Sequence, residues 1–353
     1  ILTLAIKNCD FDLIELIFNF YGDHIQYKSQ FVFDALLLLS HNINNNQDNK
    51  LNWKIVKKLF ENKYIDPNYC DSSTFLYKAC FYNEIDVVES LLKLDRIDVN
   101  MYEVESYYTP LMISIDKNYT KIAELLIQNP KTDLNLRNIN DESALIIAVK
   151  NEQKYIIDLL INNERFDPIQ SKLSFAFYNA NSEISKQLST LSFLDVNYIF
   201  EILDENLQFK KVKTAFVHFV MINDIEKIDF IINHPSFDVY KSDINQALFI
   251  AAENNNIEIF RKLIKFIDDI NIFNKNSESL LFCSVENLSG NIIDEILNNP
   301  KFDPIKSQFF DSFIQLITNK KGLNKSTMNK KFNGWNQQPI YNHTNLLNQD
   351  MLP

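Results

Sequence analysis

Apolar residues run in short bursts at helical spacing along most of the chain, and polar turns separate the bursts. Ile122, Ala123, Leu125, Leu126 and Ile127 form one burst, and Ile156, Ile157, Leu159, Leu160 and Ile161 form another. Such spacing places an apolar stripe on one side of a helix. Small residues recur inside these patterns at Ala5, Ala79, Ser114, Ala148, Ala176, Ala251 and Ser284. The steps from 79 to 114 and from 114 to 148 are 35 and 34 residues, and the step from 251 to 284 is 33. The gap of 75 between Ala176 and Ala251 holds one further copy around Phe219, where the small residue is lost. A fixed period of this size predicts a stack of repeats.

The copies share an internal order. A short apolar segment comes first, as in Thr74-Phe75-Leu76, Thr109-Pro110-Leu111, Ser143-Ala144-Leu145 and Gln246-Ala247-Leu248. A short helix, a polar turn and a second amphipathic helix follow. Two helices with one stripe each cannot bury themselves alone, so neighbouring copies must stack. An aspartate-led turn closes each copy, as in Ile65-Asp66-Pro67-Asn68, Ile97-Asp98-Val99-Asn100, Thr132-Asp133-Leu134-Asn135, Phe166-Asp167-Pro168, Leu194-Asp195-Val196-Asn197, Phe237-Asp238-Val239 and Phe302-Asp303-Pro304. Asp and Asn bond nearby backbone and open turns. A following proline ends the helix and sets an extended step.

The order Thr-Pro-Leu-x-x-small, helix, turn, helix, Asp-x-Asn resembles the ankyrin repeat. Thr109, Pro110 and Leu111 match its opening, with Met112 at the family's usual His and Ser114 at its usual Ala. The resemblance covers residues 1–318 in about nine copies, beginning near 1, 31, 74, 109, 143, 171, 214, 246 and 279. Asn-Pro-Lys-x-Asp-x-Asn at 129–135 is similar to divergent protist repeats. The resemblance implies an all-α solenoid of stacked helix-turn-helix units with short β-turn-like tips. It also implies a non-enzymatic protein-binding scaffold that uses the tips and the inner face of the first helices.

Departures from the family carry information. Its inter-helix glycine is replaced by Asn83, Asn118, Asn223 and Asn255, the next best residue for left-handed backbone. Cys9, Glu152 and Ala180 hold the same place at some cost in strain. The usual His gives way to Thr3, Tyr77, Met112, Ile146 and Phe249, which implies looser tips. Six of the eleven residues from 42 to 52 are Asn, so His41–Asn52 is expected to be a disordered insertion. Residues 198–213 are expected to add a helical segment. The second helix of copy 171–197 is polar and makes that copy the weakest of the stack. A terminal helix is expected at 309–318.

Composition narrows the classes further. Glycine is scarce, with 4 in 353 residues, which disfavours glycine-rich phosphate loops. The formal net charge is −11. Residues 319–353 carry +4, leaving −15 for 1–318, so the repeat array lacks the clustered positive charge of a nucleic-acid surface. The basic, Asn/Lys-rich tail is expected to be disordered. Cys9, Cys70, Cys80 and Cys283 show no C-x-x-C spacing and read as reduced thiols. With no apolar run of ~18–20 residues and no signal peptide, the expected location is cytoplasmic, with the nucleus open through the tail lysines. The chain is expected to be a monomer that contacts no membrane.

No constellation for chemistry stands out. His24, His41, His218, His234 and His343 lack zinc spacing, and no nucleotide or nucleophile motif occurs. No enzyme, cofactor or metal is expected. The candidate partner-binding residues are Tyr102, Glu103, Glu105, Tyr107 and Tyr108 on one tip and Arg137, Asn138 and Asp141 on the next. Tyrosines between acids offer large contact area at small entropic cost. An alternative reading makes the array a regulatory module of a longer chain whose effector domain lies elsewhere.

Overall fold

The computed structural model describes residues 2–8, 10–21, 50–61, 66–69, 72–203, 210–307 and 309. The Asn-rich stretch up to residue 49, Cys9, Cys70, His24, His41, His343, the helix expected at 309–318 and the basic tail lie outside the described residues, Phe309 excepted. The chain divides into two compact units.

The first unit spans Ile1–Val196 with His234–Ser236. Its helices are α1 (Leu2–Lys7), α2 (Phe11–Tyr21), α3 (Lys50–Glu61), α4 (Phe75–Phe81), α5 (Ile85–Leu92), α6 (Pro110–Asp116), α7 (Thr120–Gln128), α8 (Ala144–Lys150), α9 (Lys154–Ile161), α10 (Leu173–Asn179) and α11 (Ser182–Leu188). The first helices stack as α4 on α6, α6 on α8 and α8 on α10, while α5, α7 and α9 stack behind them. Helix α3 starts at Lys50, so the expected insertion does not extend to Asn52. Its buried stripe of Trp53, Val56, Leu59 and Phe60 draws that turn into the helix.

The second unit spans Asn197–Asn233 and Phe237–Pro353. It opens with strands β1 (Ile199–Leu203) and β2 (Lys210–Thr214), followed by α12 (Ala215–Met221), α13 (Ile225–Ile232), α14 (Ile244–Glu253), α15 (Ile257–Leu263), α16 (Leu280–Glu286) and α17 (Gly290–Leu297). The strands pair antiparallel from Ile199 opposite Thr214 to Leu203 opposite Lys210. Where a helical segment is expected at 198–213, the described residues therefore form a pair of antiparallel strands. Backbone groups at both ends pair across the ladder, and Ala215 N donates to Tyr198 O at 2.8 Å.

Five copies open on a hydroxyl cap, whereas Leu173–Asn179 starts after Lys172 without a side-chain cap. The hydroxyls of Thr74, Thr109, Ser143, Thr214 and Ser279 accept from the backbone N–H three residues on, and Pro110 takes the first helical position, where no N–H is needed. Helix α14 starts before Gln246, because Asp243 caps it by accepting from Gln246 N.

The inter-helix turn explains the recurring small residue. Asn118 has φ 60°, with its N–H on Ile115 O and the next N–H, Tyr119, on Ser114 O. That is a Schellman closure with asparagine at the left-handed position. The same closure recurs at Asn83, Glu152, Asn223, Asn255 and Leu288. Its far acceptors are Ala79, Ser114, Ala148, Phe219, Ala251 and Ser284, the positions that set the sequence period. Ala180 departs from this expectation with φ −68° and ψ 150°. Only residues 180–181 separate α10 from α11, and Asn181 caps α11 by accepting from Ile184 N.

Asparagines of the closing turn tie copy to copy. Asn100 Nδ2 donates to Lys131 O at 2.9 Å and its Oδ1 accepts from Asp133 N at 2.8 Å. Asn68 reaches Arg96 O and Asp98 N in the same way. Asn135 reaches Arg165 O and Asp167 N, and also accepts from the Ser171 hydroxyl. In the second unit Asn271 repeats all three contacts with Lys301, Asp303 and Ser307. A basic side chain adds a second tie: Arg165 donates to the carbonyls of Asn129, Thr132 and Ile127 at the end of α7, where cations are favoured.

Candidate functional site

The tips between copies are short hairpins linked in series. Glu103 N donates to Tyr108 O, and Tyr107, left-handed at φ 58°, donates to Glu103 O. Val104 N reaches Ser72 O at 3.0 Å, and Ile139 N reaches Ser106 O at 3.1 Å. The missing histidines therefore leave other clasps in place. Ser143 Oγ adds one more by donating to Ser171 O at 2.7 Å.

Within the first tip the candidate residues divide by role. Tyr102 and Tyr107 are 49% and 44% exposed, and their rings meet at 4.8 Å between centroids. They form one aromatic face on the outside of the tip. Glu105 is exposed beside them. Glu103 turns inward and accepts from Glu105 N, Ser106 N and the Ser106 hydroxyl. Partial burial raises its pKa, but these bonds outweigh burial and hold it below the usual carboxylate range. Tyr108 is half-buried. Burial first, then Asp116 and Glu142, push its hydroxyl pKa up.

The second tip repeats this division. Asn138 is 5% exposed and is consumed by the loop: its Oδ1 accepts from Asn140 N and Glu142 N, and its Nδ2 donates to Glu142 at 2.8 Å. It is a loop-building residue, not a contact surface. Arg137 and Asp141 pair at 2.7 Å on the exposed side, and Asp141 also receives Lys172. Glu142 binds the Lys150 ammonium. Burial opposes ionisation of Glu142, yet the bonds from Lys150 and Asn138 lower its pKa.

A groove opens in the second unit beside the tips at Lys241–Asn245 and Lys275–Glu278. It has a volume of about 410 Å³ and lies between α14 and the 273–276 tip. Gln246, Phe249, Ile250 and Glu253 form one wall, and Phe273, Asn274 and Lys275 form the other. Its signal was present as Phe249 in the family's histidine position.

Other residues of interest pack or tie. His234 is buried, with Nε2 3.1 Å from Leu191 O and Nδ1 2.8 Å from the Ser236 hydroxyl. Cys80 and Cys283 are free thiols in the interior. Among the described residues no group of His, Cys, Asp or Glu is placed to hold a metal, and no helix is long and apolar enough to cross a membrane.

Comparison with known proteins agrees with the repeat geometry. Residues 32–138 match the family of ankyrin repeats in three copies. An ankyrin repeat protein of Fowlpox virus (strain NVSL), FPV031, is 31% identical over 180 residues, which is 48% of this chain and 50% of that protein. Protein L371 of Acanthamoeba polyphaga mimivirus, also described as an ankyrin repeat protein, is 24% identical over 271 residues, 72% of this chain and 33% of its own length. The chain thus spans half or less of these two relatives. Both relatives are viral. Among solved structures, the human ASB11 ankyrin repeat domain is 13% identical with a TM-score of 0.41, covering 59% of this chain and 90% of that one. Ankyrin repeats are in general protein–protein interaction modules and typically lack enzymatic activity. The family match identifies ankyrin repeats within residues 32–138 of this chain, and the closed turns repeat one geometry as far as Leu288.

Proposed function

We propose that the chain is a non-enzymatic adaptor that binds a protein partner on the tips of its first unit. The exposed ring pair of Tyr102 and Tyr107 carries this reading. Aromatic area already ordered by a hairpin loses little entropy on binding. Glu105 and the Arg137–Asp141 pair form a polar rim around it. Glu103, Tyr108 and Asn138 hold the two hairpins in shape and support the contact without forming its centre. In this role the protein acts as a monomer in the cytoplasm and needs no cofactor.

Affinity capture with the whole chain from cell extract, quantified by mass spectrometry, tests the proposal. The reading expects Tyr102→Ala with Tyr107→Ala to lose the proteins that wild type retains. A Tyr240→Ala variant, which removes an exposed ring far along the sequence, should retain them. Equal recovery by the double variant and wild type would remove the tyrosine tip from the proposal. A second reading makes the array the regulatory part of a longer protein, and the viral relatives, of which this chain spans half or less, are the reason to keep it. The full open reading frame decides between the two.

A further inference from the structure

The chain contains two copies of one tip, 136 positions apart, in which Arg137, Ile139, Asp141 and Lys150 of the first are replaced by Phe273, Lys275, Ser277 and Glu286 of the second. Asn138, Asn140, Glu142 and Ser143 correspond to Asn274, Asn276, Glu278 and Ser279. The geometry is the same. Asn138 N and Asn274 N donate to Glu142 O and Glu278 O, and Asp141 and Ser277 both have φ 63°. Each asparagine Nδ2 also binds its glutamate carboxylate, at 2.8 and 2.7 Å. In the first unit the glutamate is completed by Lys150, eight residues on. The corresponding residue in the second unit is Glu286. An ammonium is replaced by a carboxylate.

The other groups around the second tip add to the negative charge. Glu278 Oε2 lies 3.9 Å from Cys283 Sγ, and Glu253 and Glu286 act on the same thiol: burial and these three carboxylates push it up to about 12. Glu253, on the groove wall, has its own pKa raised by burial and by Glu278. Lys275 lines the groove too, but among the described residues it makes no ion pair with these carboxylates. Of these carboxylates Glu253 lines the groove and Glu278 binds the lining Asn274, while Phe249, Ile250 and Phe273 form the apolar walls. An acidic end on an aromatic-walled slot matches a long aliphatic stem with a cationic head.

We propose that this groove takes a lysine or arginine side chain from a basic segment of the partner protein, its head supplying to Glu278 the charge that Lys150 supplies to Glu142. The proposal rests on the protein-binding reading above and assigns a second contact with its own chemistry. Complementary charge of this kind sets specificity and association rate.

The test is fluorescence anisotropy of the full chain with a labelled Gly-Leu-Lys-Leu-Lys-Leu-Gly peptide, and with the same peptide carrying norleucine for lysine. Wild type should bind the lysine peptide at least about tenfold tighter than the norleucine peptide. Glu286→Lys rebuilds the ion pair of the first tip, so it should abolish that preference while leaving the melting temperature the same or higher. No preference in wild type, or full preference in a folded Glu286→Lys, overturns the proposal. Neither result touches the tyrosine tip, which is read by partner recovery with Tyr102→Ala and Tyr107→Ala.

Discussion

Replacing Asn135 by alanine tests the ties between copies most sharply. Its side chain makes three bonds to the next copy: to Arg165 O at 2.8 Å, from Asp167 N at 2.9 Å and from Ser171 Oγ at 2.6 Å. Each hydrogen bond is worth about 1 kcal/mol net. The Ser171 residue is fully buried, so its hydroxyl would lose an acceptor that water cannot easily replace. The expected loss is about 3 kcal/mol, toward the upper end of that sum. Asn100 makes only two such bonds, both at exposed positions, and Asn100→Ala should cost about 1 kcal/mol. Urea unfolding followed by circular dichroism reads both. With a slope of about 2 kcal/mol per molar urea, the Asn135→Ala transition should fall by about 1.5 M and that of Asn100→Ala by about 0.5 M. Equal shifts for the two variants would refute the claim that these asparagines latch the copies through their bond count.

Three further outcomes follow from other residues. Leu288 sits at φ 55° in the inter-helix turn, so Leu288→Gly should raise stability by up to about 1 kcal/mol in thermal melts, because the left-handed penalty exceeds glycine's entropic cost; a fall in melting temperature would contradict the strain. The Glu253 pKa is raised by burial and by Glu278, so the stability tied to its proton is full below the ordinary carboxylate pKa and lost as pH rises through the raised value. Glu253→Gln should therefore melt above wild type at pH 7 and level with it at pH 4, and a pH-independent difference would contradict the assignment. The buried Cys283 thiol, pushed up to about 12, should resist iodoacetamide at pH 8 until urea unfolds the chain; rapid labelling of the folded protein would show it exposed.

The inter-helix turns were legible in the sequence because their determinants are local. One asparagine and one small residue four positions earlier encode the whole closure at Asn118 and Ser114. Leu288 escaped notice because nothing in leucine marks a left-handed position, and the closure there follows from Ser284 and Ser289 instead. The latch of Asn135 on Arg165, Asp167 and Ser171 spans 30 to 36 residues, and no local pattern reports such a bond. The strand pair within 199–214 was misread as helix because its lysines, at 210, 211 and 213, are good helix formers, whereas cross-strand pairing decides the outcome. Of the candidate site, the exposed tyrosines could be read from their place in the tip. The inward turn of Asn138 could not, because its role depends on Glu142 closing over it.

Hydrogen–deuterium exchange of the full chain, free and bound to a captured protein partner, tests the central claim most directly. The account predicts slowed exchange at 102–108 and 137–142, where the tips carry Tyr102, Tyr107 and Arg137. Protection confined to the second helices, such as Lys154–Ile161, would contradict it.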